Sequence, residues 1–488
     1  MTGALERRAL SLGTANAIDY ALQFLLPIVL TRALDAESFG RYRLLWLAAS
    51  TLIAVAPLFM PQSLYFFLPR SDKPTQRLYI NQTLAFMGAM GLLAAWAISE
   101  WNPWQPGALS AIATGHVPLV PVFVLVWILA SLLDVLPTVD ERVTWQSRAI
   151  VALSCTRTLA LGGVAFLTHD FIAVLWTLLA FALVKLVVLG FYIGTTHGIG
   201  GPWFKPRSLW GQLTHAAPFG IAGTLYGLRG QADQWVAATL FPLTQFASFS
   251  IAAVLGPMVN LFRQSVNHVF LPSMSRLHSA GDTRSVLAMN SRANAMVAML
   301  VYPLLGFVFA FAHPLIELVY TPTYLDAVPV LRLYIVGLVA FVIELNSILL
   351  LLKEGAFSAR LNAATLVASV LLSYWGATHA GLAGAAIGSL AMVWVERVVL
   401  LRRIARLTGE SLGALQDWRR LGAMLVAAMC AAAIAYLATA GWPLSPLPML
   451  AAGAFVMALA YPAALFVVGQ GSLISGFFHS LAASEPAA

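Results

Sequence analysis

Charge is scarce along this chain: Asp, Glu, Lys and Arg together make up 10% of its 488 residues, where a soluble domain carries about 25%. Such a shortage excludes an ordinary water-soluble fold, whose surface needs ionised side chains. Cysteine is nearly absent too. The only two, Cys155 and Cys430, fall inside apolar runs, so neither a disulfide framework nor a zinc cluster is indicated. Lysine is limited to Lys73, Lys185, Lys205 and Lys353, and none of them follows a glycine. That removes a Walker-type nucleotide loop and, with it, primary ATP-driven pumping by this chain. His-Glu-x-x-His and Gly-x-Ser-x-Gly are missing as well, which excludes two common hydrolase signatures. The chain is read as a non-enzyme with no metal site.

What is abundant is apolar sequence, at 60% of residues and a mean hydropathy of +0.82. This is enough for about 14 spans of the ~20 residues that cross a hydrocarbon core. The runs lie near residues 10–31, 43–67, 78–98, 117–137, 149–168 and 172–195, then 213–240, 246–271, 293–320, 328–352, 357–377 and 381–401, and finally 421–440 and 447–469. The first run contains Asp19 and lacks a small-residue cleavage site, so it is read as a retained span rather than a signal peptide. The expected organisation is an all-α integral membrane protein in three parts: a six-helix bundle over 1–200, a second over 201–403, and a basic segment with two extra helices over 404–488.

The net charge of +8 does not point to nucleic acid, because the basic residues sit between apolar runs. With the N-terminus inside, twenty of the 28 Lys and Arg residues fall on inner segments and four on outer ones. By the positive-inside rule both termini are cytoplasmic. Residues near Lys73, Lys205 and Arg406 are then inside, and those near Asn102 and Pro443 outside. The longest outer loop, Ser99 to Val117, holds Trp101, Pro103, Trp104 and Pro106 and leaves no room for a catalytic domain. The basic stretch Arg402 to Arg420 reads as a topogenic cluster or as an amphipathic helix against the anionic inner leaflet.

An internal echo links the halves. Asp35-Ala-Glu-Ser-Phe-Gly-Arg-Tyr42 after the first span matches Pro242-Leu-Thr-Gln-Phe-Ala-Ser-Phe249 after the seventh, pairing Phe39 with Phe246 and Tyr42 with Phe249. The second and eighth spans close alike, on Phe67-Leu68-Pro69 and Phe270-Leu271-Pro272. Two parallel repeats of six spans would be related by an axis along the membrane normal, with a cavity between them.

The segment Thr31-Arg-Ala-Leu-Asp-Ala-Glu-Ser-Phe-Gly-Arg-Tyr42 resembles the first-loop signature of Wzx-type polysaccharide flippases, in the polysaccharide branch of the MOP (MATE-like) superfamily. Gln231-Ala-Asp-Gln-Trp235 is similar to the pattern of that family's seventh span. The resemblance covers most of the first twelve spans. It implies two six-helix bundles around a central cavity that opens alternately to each side of a bacterial inner membrane. The sequence departs from the related MurJ-type lipid II flippases: those carry arginines in the first two spans, whereas this chain has Asp19 in the first and Pro57 and Pro61 near the end of the second.

Ionisable residues inside spans cost roughly 2.5–3.5 kcal/mol each to insert, so they mark function by default. Lys185, Arg157, Arg229 and Arg263 lie in the sixth, fifth, seventh and eighth runs. They suit the diphosphate of a polyprenyl-linked oligosaccharide, whose lost hydration cationic side chains would replace. The plainer account is a salt bridge for each, Asp134 with Arg157 and Asp233 with Arg229, or snorkelling to the surface for Arg263. Asp19 and Glu344, deep and without an obvious local partner, are candidates to bind a coupling proton or sodium ion; alternatively they pack against a basic residue of another helix. Asn16, Gln23 and Asn346 lie nearby. Asp35 and Glu37 could hold a metal by ligand type, or serve only to start the second helix.

The leading function is a flippase for undecaprenyl-diphosphate-linked repeat units in O-antigen, capsule or exopolysaccharide biosynthesis, by ion-coupled alternating access. No cofactor beyond that ion is expected. Partners would be the lipid-linked oligosaccharide, the bilayer, and a polysaccharide polymerase with chain-length proteins. A MATE-like small-molecule exporter and a polysaccharide polymerase or ligase stay open as alternatives.

Overall fold

The structure, a computed structural model, describes residues 2–105, 107–112, 119–442 and 445–470. Pro106, Val117, Pro443, the side chains of Arg7 and Arg8, and the last part of the 404–488 segment lie outside the described residues. Among the described residues the chain is helical throughout, without a strand. The first half holds α1 (Thr2–Ala33), α2 (Ala36–Val55), α3 (Met60–Phe67), α4 (Lys73–Ala97), α5 (Gly107–Ser110), α6 (Leu119–Ala130), α7 (Leu136–Val139), α8 (Val143–Thr168) and α9 (Phe171–His197). Then come α10 (Pro206–Arg229), α11 (Ala232–Leu240), α12 (Leu243–Ala252), α13 (Leu255–Ser279), α14 (Thr283–Ala310), α15 (Ala312–Tyr320), α16 (Ala327–Phe341) and α17 (Asn346–Leu351). The last four are α18 (Gly355–Ala385), α19 (Ile387–Thr408), α20 (Trp418–Ala440) and α21 (Pro446–Val467).

Among the described residues, eleven helical segments are long and apolar enough to cross a membrane. The other three expected spans fall on α10–α11 and α16–α17, which are interrupted, and on α19, which carries Glu396, Arg397, Arg402, Arg403 and Arg406. Contacts divide the chain into two compact units, Met1–Ala247 and Ser248–Ala488. In the first, α1 packs along α8, α4 and α9 pack on α6, and α10 lies on α2 and α3. The seventh segment thus packs with the first six, within the first unit. In the second unit α14 packs on α13 and α20, α20 on α21, and α19 on α16 and α18.

Scarce carboxylates start the helices. The Asp35 side chain accepts from the Ser38 amide at 2.8 Å, and Asp170 accepts from Ile172 and Ala173 at 3.1 and 3.3 Å. Asp282 and Asp417 cap α14 and α20 through the amides of Ser285 and Arg420, both at 3.0 Å. The hydrogen bonds from Ser285 hold the Asp282 carboxyl below its ordinary value. Each such cap satisfies an amide that the first turn of its helix leaves free. Asp35 is therefore occupied as a cap, and Glu37 pairs with Arg41 at 2.7 Å on the same helix. The plainer account of these two residues is the one the geometry follows.

Backbone groups freed where a span breaks need partners, since lipid offers none. The second span breaks after Pro57, where Leu58 and Phe59 take left-handed φ values of 45° and 60°. The Ala54 carbonyl near this break accepts from Thr224 of α10 at 2.8 Å. The bend nests on two glycines: a Cβ at Gly220 would stand 2.6 Å from the Leu58 carbonyl oxygen, and one at Gly223 2.5 Å from the Phe59 ring. The tenth span breaks at 342–345, between α16 and α17, without glycine or proline. Here Asn294 of α14 accepts from the Glu344 amide at 2.9 Å, while Asn290 and Asn294 donate to the Glu344 carbonyl at 3.0 and 3.3 Å.

The echoed residues behave alike: Phe39, Tyr42, Phe246 and Phe249 are all buried. Gly40 of the first signature lies against the Leu243 backbone so closely that a side chain there would collide with it. In the seventh-span pattern, Thr51 of α2 donates to Gln231 at 2.5 Å and accepts from the Trp235 indole at 2.9 Å. The pattern therefore pins α11 onto α2.

Two expectations about single segments are corrected. The run 293–320 is not one helix, because α14 ends at Ala310 and α15 starts after a bend at Phe311. Nor is Arg402 to Arg420 an amphipathic helix: α19 ends at Thr408, Gly409 takes φ +72°, and α20 begins at Trp418.

Candidate functional site

Within the first unit four charged side chains converge from α1, α8, α9 and the turn before α7. Asp19 of α1 faces Ser154 and Arg157 of α8, which lie one helical turn apart and so share a face. Ser154 Oγ donates to Asp19 Oδ1 at 2.5 Å, Arg157 Nη2 approaches the same oxygen at 3.4 Å, and Gln23 Nε2 donates to Asp19 Oδ2 at 2.7 Å. Lys185 of α9 reaches Asp134 at 2.8 Å, with its ammonium 5.2 Å from the Trp127 ring centroid. All four charges line one cavity of about 270 Å³, together with Gln23, Trp46, Trp127, Gln146 and Phe181.

One expected relation changes and one alternative is met. Arg157 does not pair with Asp134, which is taken by Lys185; and Asp19, without a local partner, packs against a basic residue of another helix, Arg157, with Ser154 beside it. Formally the cavity carries two cations and two carboxylates. The cations are the deeper members, their side chains 13% and 10% exposed against 24% for Asp19 and 56% for Asp134. Arg157 is also under-satisfied. Its one ion-pair contact is long, and its buried Nε finds no hydrogen-bond partner among the described residues. Most buried donors are paired, so a guanidinium left in this state beside a cavity is suited to receive an acceptor.

Arg263 and Glu344 form a second cluster in the other unit, where the buried Nε of Arg263, like that of Arg157, has no hydrogen-bond partner among the described residues. The Arg263 guanidinium meets Glu344, donates to Asn260 at 2.6 Å, and lies 4.2 Å from the Phe341 centroid. The second Glu344 oxygen accepts from the Asn346 amide at 2.8 Å. Glu344 thus packs against a basic residue of another helix, the second of its two expected readings, and Arg263 is held by it instead of snorkelling. Arg229 ends α10, buried and 5.5 Å from the Tyr226 centroid, and does not line the cavity with Arg157. The structure thus joins Lys185, Arg157 and Asp19 in one place, joins Arg263 and Glu344 in another, and leaves Arg229 apart from both. Sequence reasoning missed Ser154, Trp46, Trp127 and Gln146. Only the Ser154/Arg157 spacing offered a signal.

The sequence of residues 29–329 matches the family described as "Polysaccharide biosynthesis protein". No curated protein sequence matches the chain. Among solved structures, the lipid II flippase MurJ in an inward closed conformation superposes with a TM-score of 0.70 at 11% identity, over 96% of this chain and 99% of that one. A multidrug resistance MATE family transporter of the MOP superfamily, inward-facing, gives 0.60 at 15%, over 80% and 96%. A MOP superfamily transporter from Pyrococcus furiosus gives 0.53 at 13%, over 84% and 96%. At such identities the likeness is one of fold. With a family match over more than half its length and a MurJ- and MATE-like fold, the chain belongs to the polysaccharide biosynthesis protein family.

Proposed function

We propose that this protein is a flippase that carries polyprenyl-diphosphate-linked oligosaccharide across a bacterial inner membrane, with the diphosphate received by Arg157 and Lys185 in the cavity of the first unit. The observation that carries this reading is the under-satisfied Arg157 guanidinium, buried at the wall of a polar cavity. An incoming diphosphate offers shorter charge-assisted bonds than the 3.4 Å contact with Asp19. Asp134, more than half exposed, can leave Lys185 at little cost. Trp46 and Trp127 give the same wall apolar faces for a sugar ring.

Ion coupling fits the same geometry. A proton on Asp19 or Asp134 removes the charge that competes with the diphosphate for its cation, so protonation and cargo binding favour each other. Glu344, closed onto Arg263, is less accessible to an ion in this state, and we assign it a holding role. Outward movement of an anion gains ~2.3 kcal/mol per charge per 100 mV when the inside is negative, so the cavity need only lower the barrier.

The test is accumulation of lipid-linked oligosaccharide on the cytoplasmic leaflet, normalised to folded protein. Arg157→Gln with Lys185→Gln should raise it about tenfold or more, by loss of two charge-assisted contacts. Normal flipping by the double variant removes this function from the cavity. The two carboxylates keep one other reading, export of small organic cations. Uptake of a cationic dye into inverted vesicles that depends on Asp19 and Asp134, with flipping intact, would select it.

A further inference from the structure

We propose that a second anion site, separate from the diphosphate cavity, lies where α14 passes the start of α20, and that it binds a phosphate group. A cavity of about 360 Å³ opens there, lined by Ser291 and Arg292 of α14 and by Gln416, Asp417 and Arg420 at the head of α20. Gln416 is 3% exposed. Its Oε1 accepts from Asn294 at 3.1 Å, while its Nε2 has no hydrogen-bond partner among the described residues. The buried Nε of Arg420 is equally unpartnered. Two unsatisfied donors at one cavity offer themselves to an acceptor, and Arg292 with Arg420 outweighs the single carboxylate, Asp417.

The carboxylate does not block the site. Asp417 Oδ1 is held as the cap of α20 by the Arg420 amide at 3.0 Å. The first amides of the helix are largely engaged as well, Asp417 N with Ser291 Oγ at 2.9 Å and Trp418 N with the Gln416 carbonyl at 3.0 Å. The donors left for a ligand are therefore side chains: the Gln416 amide and the two guanidiniums, with the positive end of a 23-residue helix behind them. That helix rises ~1.5 Å per residue, so it only just crosses the hydrocarbon, and Trp418 at its head marks the headgroup level. A phospholipid phosphate arrives at this height, and so does a free phosphate from water.

An occupant would also be felt deeper in the unit. Gln416 holds Asn294, and Asn294 holds the broken tenth span through the Glu344 amide. Fixing Gln416 by its free amide fixes that chain of bonds.

The experiment is native mass spectrometry of the purified full-length protein, with phosphatidylglycerol or phosphatidylcholine added, beside thermal denaturation with and without inorganic phosphate. The wild-type chain should retain one phosphatidylglycerol in preference to phosphatidylcholine and melt at a higher temperature with it. In Arg292→Gln with Arg420→Gln, retention should fall about tenfold or more, while Arg419→Gln, whose side chain does not line the cavity, should behave as wild type. Gln416→Glu, which keeps length and adds a like charge, should also expel the anion. If inorganic phosphate alone produces the thermal shift and displaces the lipid, the free ion is the ligand; if only the lipid does so, the headgroup is. Equal retention of both lipids with no phosphate effect, or retention unchanged in both R292Q/R420Q and Q416E, overturns the proposal. Because these residues are distant in sequence from Arg157 and Lys185, loss of this site would leave the flippase reading standing, and the reverse also holds.

Discussion

Asp19 with Arg157 in the first unit and Arg263 with Glu344 in the second join the same kinds of side chain, buried within the same kind of helical bundle, yet they are built for opposite ends. The second pair is enclosed: Asn260, the Asn346 amide and the Phe341 face surround it, and Asn290 and Asn294 hold the Glu344 backbone, although the buried Arg263 Nε has no hydrogen-bond partner among the described residues. The first is open, a 3.4 Å contact at the wall of a cavity. The contrast teaches that the presence of an intramembrane ion pair says little about function. What distinguishes a strut from a receptor here is the cavity beside the pair and the length of its contact, since the buried Nε of Arg157 and that of Arg263 both lack a hydrogen-bond partner among the described residues.

The comparison can be broken at its strongest point first. Arg263→Gln strands Glu344 in a buried network, and removing one partner of such a pair costs about 3–5 kcal/mol. The purified variant should lose most of its folded fraction in size-exclusion chromatography. A variant that melts like the wild type would put the two pairs on the same footing. Next in size is Asn294→Ala, which leaves the Glu344 amide without its acceptor and should cost about 1–3 kcal/mol. Its melting temperature should fall clearly below that of Asn260→Ala, whose loss frees only a side-chain donor. Asp35→Ala removes the cap of α2 and should cost about 1 kcal/mol, read as a smaller shift in the same assay. Arg157→Gln should have the least effect on stability, because its contact with Asp19 is long and Ser154 and Gln23 still hold that carboxylate, while flipping is lost. Strong unfolding of that variant would make Arg157 a strut as well.

Much of the fold was legible because lipid enforces it. Among the described residues every expected span falls on helix, whole or broken, since an apolar run of some twenty residues has few alternatives in hydrocarbon. The echo of Phe39 with Phe246 and Tyr42 with Phe249 was legible as aromatic residues at fixed offsets, and all four rings are buried. Breaks at Pro57 and Gly230 announce themselves by residue type. The break at 342–345 does not, as Val342-Ile343-Glu344-Leu345 contains no helix breaker; it exists because Asn290 and Asn294 on another helix supply the hydrogen bonds that the span gives up. The site was legible as a set of charges but not as a set of partners. Arg157 prefers a carboxylate on α1 to one nearer in sequence, and that choice depends on how α1 lies along α8, which no local spacing encodes.

The bend of the second span against α10 has a mechanical meaning. Leu58 and Phe59 sit in hollows that exist only because Gly220 and Gly223 lack side chains. A knob lodged in a notch does not glide. It is either seated or lifted clear, and between those positions it meets the bulk of neighbouring side chains. Any sliding of one of these helices past the other would therefore have to lift Leu58 and Phe59 clear of their hollows first, as a detent releases.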